Sequence, residues 1–343
     1  MKPAGNPKVT VLMSVYNAGE HLRDAVRSIL DQSHADFEFL IVDDASADRS
    51  VEIIESFLDP RIRIIRNEKN LGLAVSLNKG LDAATGEYVA RMDCDDISAK
   101  DRLQAQVDLL ERNPRVGACG TWIRHIGEKR IIRYYTDPDI LKCILLFDPP
   151  MAHPTVMFRR DLFLRNGLRY DAAYRRSQDY ELWSRAADFM QFTNIPRTLL
   201  YYRHANEDGD VSVRLKNEEQ KSMAGNVRKR QLGKLHIFPT PEEFEMHQRI
   251  SGKKRYEATR ALLQEMNRWL EKLREANGRS GAYPEPAFTR VLGMRWFYLC
   301  RISPELGWWR WKYYLSSFLG KYKLMDWNFN VASAITGLVR MFR

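Results

Sequence analysis

The sequence predicts an α/β fold: a mostly parallel sheet flanked by helices, followed by a mostly helical, basic extension. Three observations predict it. Short β-branched runs alternate with amphipathic helical stretches up to about residue 115, the pattern of right-handed βαβ units. The polar clusters Tyr16-Asn17, Asp43-Asp44 and Asp93–Asp96 each fall at a strand end, and open α/β sheets bind ligands beyond those ends. The charge is also split. Residues 1–213 hold 29 Lys+Arg against 32 Asp+Glu, and residues 214–343 hold 25 against 12. The net +10 therefore comes from the last third, which reads as a separate module facing something anionic.

The elements follow in order. Val9–Tyr16 reads as a buried strand, and Glu20–Gln32 as a helix with Leu22, Val26, Ile29 and Leu30 on one face. Phe37–Val42 is the second strand. Ser46 or Asp48 can cap the next helix, which runs through Leu58. Ile62–Ile65 is a third strand. A helix from Leu73 to Ala84 has Gly86 after it as a stop signal. Tyr88–Met92 is the fourth strand, and Ser98–Asp101 resembles a capping box opening a helix that ends at Asn113-Pro114. Val116–Ile126, Thr155–Phe158 and Thr198–Tyr202 read as strands, and Asp137–Phe147 and Asp179–Phe189 as helices. From Arg214 on the chain reads as helical, with a break near Phe238–Pro241.

The 343 residues suit one large domain with an appendage, or two domains, and the 44% apolar fraction is ample for a core. The start Met1–Lys8 is polar, so no signal sequence is expected there. No apolar run reaches 18 residues, so no transmembrane helix is expected. Cys94, Cys119, Cys143 and Cys300 lack zinc or redox spacing and read as reduced thiols of a cytoplasmic protein.

Asp93-Cys94-Asp95-Asp96 carries the most chemistry. Three carboxylates within four residues repel and raise each other's pKa unless a cation joins them. Their oxygens suit Mg²⁺ or Mn²⁺, and Mg²⁺ is commonly shared with substrate phosphates. A solvated turn that caps the next helix is the plainer alternative. Neither G-x-G-x-x-G nor G-x-x-x-x-G-K-[ST] occurs, so a nucleotide held here needs a metal for its phosphates.

Six segments in order carry a family resemblance: Ser14–Asn17, Val42–Asp48, Arg66–Gly72, Met92–Asp96, Gln178–Trp183 and Tyr202–His204. Over residues 8–213 the chain resembles the GT-A fold, family-2 inverting glycosyltransferases, which use nucleotide-diphosphate sugars. The resemblance implies a Rossmann-like, mostly parallel catalytic domain at 1–213, with 214–343 as a helical, basic, aromatic-rich region. It implies that Tyr16 packs on the base, with Asn17 beside it, and that Asp44 accepts a hydrogen bond from it. Arg66, Asn70 and Gly72 would form the loop flanking the nucleotide. Asp93 would lie near ribose and metal, Asp95 would ligate Mn²⁺ or Mg²⁺, and His204 would reach the metal or the diphosphate. Asp179 would be the catalytic base, at a helix start where the dipole favours a carboxylate. Asp96 and His153 would stand on the acceptor side, and Trp183 either there or, with Leu182, in the core. Cys94 departs from the alanine common at its position.

The implied partners are a nucleotide-diphosphate sugar, most often UDP-linked, and a glycan or lipid-linked acceptor in surface polysaccharide synthesis. Two rival readings are a nucleotidyltransferase and a non-catalytic sugar-nucleotide-binding scaffold. Five of the eight tryptophans lie between Trp296 and Trp327 among lysines and arginines, and Val331–Val339 is a short apolar stretch. That composition suits an anionic membrane surface, here the inner face of the plasma membrane, or else a subdomain whose aromatics pack inward. No motif supports nucleic acid as a partner.

Overall fold

The structure, a computed structural model, describes residues 6–203, 211–252 and 256–325. His204, Trp327 and Val331–Val339 lie outside the described residues. The chain divides into two compact units at Arg228/Lys229.

The first unit is built on one sheet. Strands β1 (Val9–Val15), β2 (Phe37–Asp43), β3 (Ile62–Arg66) and β4 (Tyr88–Met92) are parallel, in the order β3-β2-β1-β4. The sheet continues through β8 (Met157–Arg159), β6 (Val116–His125) and β9 (Gln191–Tyr202) to β5 (Ile97–Ser98), with β7 (Ile131–Ile132) beside β6. Strand β8 runs antiparallel to both β4 and β6, whereas β6 and β9 are parallel to each other.

Side chains alternate across the sheet and both faces are covered, as a parallel sheet requires. Val9, Val11, Met13 and Val15 of β1 pack with α1 (Leu22–Leu30) and α4 (Arg102–Arg112). Leu12 faces the other way, towards α3 (Leu73–Ala83) and α7 (Gln178–Ala186). Helices α2 (Ser50–Glu55), α5 (Pro138–Ile144) and α6 (Arg160–Arg165) complete this unit with the first part of α8 (Val211–Lys234). The charge step at residue 213 and the division at 228 both fall within α8.

Several expectations are corrected. Ser98 does not open a helix. It joins β5 opposite Leu200, and α4 starts at Arg102 without a side-chain cap. The β9 strand begins at Gln191 rather than Thr198, and Met157–Arg159 follows a short turn at His153–Thr155. Gly86 does not cap α3, which ends at Ala83. It is needed because the chain passes against β1: a Cβ there would lie 2.4 Å from the Thr10 nitrogen. Gly86→Ala is therefore expected to lower stability by about 1–3 kcal/mol, the usual cost of overpacking, as read from the denaturation midpoint.

The second unit is helical among the described residues: the end of α8, α9 (Pro241–Ser251), α10 (Arg260–Ser280), α11 (Ala287–Arg301), α12 (Gly307–Ser316) and α13 (Phe318–Met325). The break near Phe238–Pro241 is a loop closed by a capping box between Thr240 and Glu243. Part of the tryptophan cluster packs inward. Trp296 is fully buried and its Nε1 donates to Ser317 Oγ at 2.8 Å, while Trp311 lies against Phe297 and Tyr314. Trp308 does not; it is 62% exposed. No helix among the described residues is long and apolar enough to cross a membrane.

Candidate active site

The parallel strands β1, β2 and β4 end on the same side of the sheet, and their loops carry the polar clusters. At the end of β1, Tyr16 is half exposed and Asn17 takes a left-handed backbone, φ 48°. Asn17 ties its turn to the next one. Its Oδ1 accepts from Ala47 N–H at 2.9 Å, and its own N–H donates to Ser46 Oγ at 3.0 Å. Asp48 contributes too, accepting from Gly19 N–H and from Ser50 N–H, both at 3.0 Å.

Asp44, at the end of β2, is buried. Its Oδ1 accepts from Asn67 Nδ2 at 2.7 Å and Leu71 N–H at 2.8 Å, and its Oδ2 accepts from Gly72 N–H at 2.8 Å. Burial alone would raise its pKa, but the bonds from Leu71, Asn67 and Gly72 outweigh it and hold the carboxyl below its usual value. Asp44 thus fastens the Asn67–Gly72 loop, and with the Ser76 hydroxyl also bonded to it most of a carboxylate's roughly four acceptor positions are in use. Gly72 suits that loop because its φ is 87°. Asn70 is exposed on the loop, and Arg66 turns away to pair with Glu55.

The third cluster lies between β4 and β5. One carboxylate oxygen each from Asp93, Asp95 and Asp96 lies within 4.8 Å of the others. The loop is pinned at both ends. Arg91, a buried guanidinium within β4, forms an ion pair with Asp93. At the other end Arg203, just past β9, donates its N–H to Asp96 Oδ1 at 2.9 Å and its Nε to the Asp95 carbonyl at 3.0 Å. Burial and the Asp93 charge raise the pKa of Asp95. The same two causes, with Asp95 adding to them, push Asp96 up to about 8. Asp96 Oδ2 is buried without a partner among the described residues. A divalent cation fits these residues: three hard oxygen donors converge, one is unsatisfied, and their mutual repulsion is what a cation would relieve. Cys94 is pushed up to about 12 by burial and by Asp93 and Asp95, so it is a thiol and a poor nucleophile.

Asp179 is the second residue of α7, after Ser177 in a left-handed turn. It is half-buried, and desolvation raises its pKa. The Tyr180 N–H and the Arg91 charge oppose the rise and the Asp93 charge adds to it, so Asp179 lies within electrostatic reach of both. Its neighbour Glu181 is buried and held bidentately by Arg185 at 2.8 and 2.6 Å.

The acceptor-side candidates separate. Asp96 belongs to the carboxylate cluster. His153 is buried with Nε2 2.8 Å from the Tyr170 hydroxyl, and burial and the Arg91 charge hold its pKa well below the usual value, so the ring is neutral. Trp183 is fully buried, edge-on to Phe158, Phe163 and Phe192 at 5.9–6.3 Å between ring centres. It is a core residue with no surface for an acceptor.

Sequence reasoning left Arg91 and Arg203 without a role. The signal for Arg91 was present, since a lone arginine inside a buried strand demands an opposite charge nearby.

Similarity to known proteins agrees with this geometry. An uncharacterized glycosyltransferase of Haemophilus influenzae is 33% identical over 232 residues, 63% of this chain and 72% of that protein. The O-antigen biosynthesis glycosyltransferase WbnJ of Escherichia coli is 31% identical over 217 residues, 60% of this chain and 83% of that protein. Among solved structures, TarS 1-349 of S. aureus in complex with UDP-GlcNAc aligns with a TM-score of 0.57 at 15% identity, over 87% of this chain and 91% of that one. The mannosyltransferase PcManGT of Pyrobaculum calidifontis, in complex with GDP-Man and Mn²⁺, aligns at 0.53 and 18% identity, over 95% and 89%. At such identities the two structures establish the fold, which is that of GT-A enzymes. The model of the family described as glycosyl transferase family 2 matches residues 10–183, about half of the chain and every candidate residue from Tyr16 to Trp183. The chain belongs to glycosyl transferase family 2.

Proposed function

We propose that this protein is a metal-dependent, inverting glycosyltransferase that moves a sugar from a UDP-sugar to a hydroxyl of a glycan or lipid-linked acceptor in surface polysaccharide synthesis. The observation that carries this reading is the convergence of Asp93, Asp95 and Asp96 where the parallel strands end, with Asp179 in electrostatic reach. The bound UDP-GlcNAc and GDP-Man of the fold neighbours support a nucleotide-sugar donor, and the O-antigen relative supports a surface glycan.

In this reading Asp95 and Asp93 hold Mn²⁺ or Mg²⁺. The ion supplies Lewis-acid neutralisation of the departing diphosphate. Tyr16 covers the base, and the Asp44-fastened loop with Asn70 and Gly72 borders the nucleotide, Asn17 holding the adjoining turn. Arg66 lies at its edge and acts there only by leaving Glu55. His204 follows the Arg203 clamp in sequence and is a further candidate at the diphosphate. Asp179 takes the proton from the acceptor hydroxyl as that oxygen attacks the anomeric carbon and the bond to the diphosphate breaks. Attack from the face opposite the leaving group inverts the configuration, so an α-linked donor gives a β-linked product. His153, neutral and fixed by Tyr170, would shape the acceptor side, while Asp96 stays with the carboxylate cluster as a third donor beside the ion. Catalysis belongs to residues 1–213, and the basic region 214–343 places the enzyme at an anionic membrane face.

Release of free sugar from UDP-sugars, measured with and without Mn²⁺, tests the reading. Hydrolysis that needs the ion is expected. Sugar release unaffected by chelation would overturn metal dependence, and binding without any turnover would favour a non-catalytic scaffold.

A further inference from the structure

We propose that the outer face of α12, continued into the start of α13, is the surface by which this chain docks on an anionic lipid membrane. The inference rests on the membrane part of the reading above and names the residues that would perform it. Trp308, Lys312 and Leu315 recur at i, i+4 and i+7, one stripe of a helix, and all three are exposed. Trp309 and Ser316 flank the stripe, and Phe318 follows it. Trp308, Leu315 and Phe318 are 62%, 46% and 49% exposed, so three large apolar side chains face water within eleven residues. A patch of that kind marks a contact surface.

The inward side is already packed. Tyr314 is buried, and Trp311 packs against Phe297. The exposed stripe is therefore surplus to folding the unit.

Charge selects the occupant. Between Leu306 and Met325 there is no Asp or Glu, whereas Lys312, Lys321 and Lys323 are basic. Two arginines border the stripe: the Arg260 guanidinium is 5.3 Å from the centre of the half-buried Trp309, and that of Arg274, paired with Glu271, is 4.4 Å from Phe318. Tryptophan and leucine flanked by long cationic side chains suit the headgroup boundary, where rings insert shallowly and lysines reach out to lipid phosphates. The surrounding excess, 25 basic against 12 acidic residues over 214–343, has the same sign.

Co-sedimentation of the full chain with vesicles tests this. Binding to phosphatidylglycerol vesicles at low salt is expected, little binding to phosphatidylcholine, and release as salt rises. W308S/L315S/F318S should lose most of that binding while the protein stays folded, with at most a modest fall in melting temperature from the half-buried Leu315 and Phe318. K312Q/K321Q should weaken binding by on the order of tenfold or more at low salt, and it decides the matter should the triple variant misfold. A wild-type chain that stays in the supernatant with phosphatidylglycerol would overturn the proposal, as would variants that bind like wild type or equal binding to both lipids. A concentration-dependent dimer that the triple variant loses, without vesicle binding, would overturn it in favour of a second copy. Mn²⁺-dependent sugar release, assayed on the same proteins without vesicles, reports on the catalytic reading separately.

Discussion

Asp179→Asn is expected to leave donor binding at wild-type strength and to cut sugar transfer by about 10²–10⁴-fold, the usual contribution of a positioned base. The amide matches the carboxylate in size but cannot accept the hydroxyl proton. No neighbour on the helix can substitute, because Glu181 is buried and committed to Arg185. The pH profile sharpens the test. Desolvation holds the Asp179 pKa above the usual carboxylate value, and the base works only when ionised. The wild-type rate should therefore fall as pH drops through that raised pKa, and this acid limb should be absent from the residual activity of the variant. Calorimetric donor titration beside a transfer assay gives both quantities. Transfer at the wild-type rate would move the base elsewhere, with Asp96 the next carboxylate to replace.

Asp95→Ala should abolish the metal-dependent part of UDP binding while the protein stays folded. Three carboxylate oxygens within 4.8 Å would hold the ion, and removing one would leave too few hard donors for tight binding. Wild-type protein with Mn²⁺ and UDP at about 100 times the dissociation constant should gain about 2.7 kcal/mol of stability, visible as a raised melting temperature, and the variant should gain little. The metal-free variant should melt no lower than the metal-free wild type, since it has one fewer crowded, half-buried charge. Equal affinity for UDP with Mn²⁺ in both proteins would remove Asp95 from the metal site.

How far the sequence carried can be seen at individual elements. The first four strands were legible because Val9–Val15, Phe37–Asp43, Ile62–Arg66 and Tyr88–Met92 are compact runs of apolar and β-branched residues. The first half of β9 was not, because Pro196 reads as a breaker. The structure accommodates it at an irregularity: Ile195 pairs with Thr121 and Thr198 with Trp122, so Pro196 and Arg197 bulge out. Strands β5 and β7 are two residues each, too short for any periodicity. Ser98 looked like a cap because local chemistry favours it, and pairing with Leu200, about a hundred residues away, prevailed. The site divides in the same way. The carboxylates announced themselves by crowding. The partner that clamps Asp96 is Arg203, and the contacts that place Asp44 under the Asn67–Gly72 loop are likewise long-range. Trp183, four residues after the proposed base and on the same face of α7, packs in the core because that helix is buried nearly all round, from Tyr180 to Ser184 and at Ala186.

The double pinning of the carboxylate loop, by Arg91 at one end and Arg203 at the other, has an evolutionary consequence. The loop cannot spread its charges apart when no cation is present, so the bare site weakens the fold that carries it. Substitutions that remove one of these acids would be favoured by selection for stability alone and opposed only by selection for activity. In a lineage that stopped using the site, Asp95 and Asp96 should be among the first residues to drift, whereas Asp44, whose bonds hold a loop together, should persist long after activity is gone. Which acids survive in a silent descendant would then record which of them the fold needed for itself.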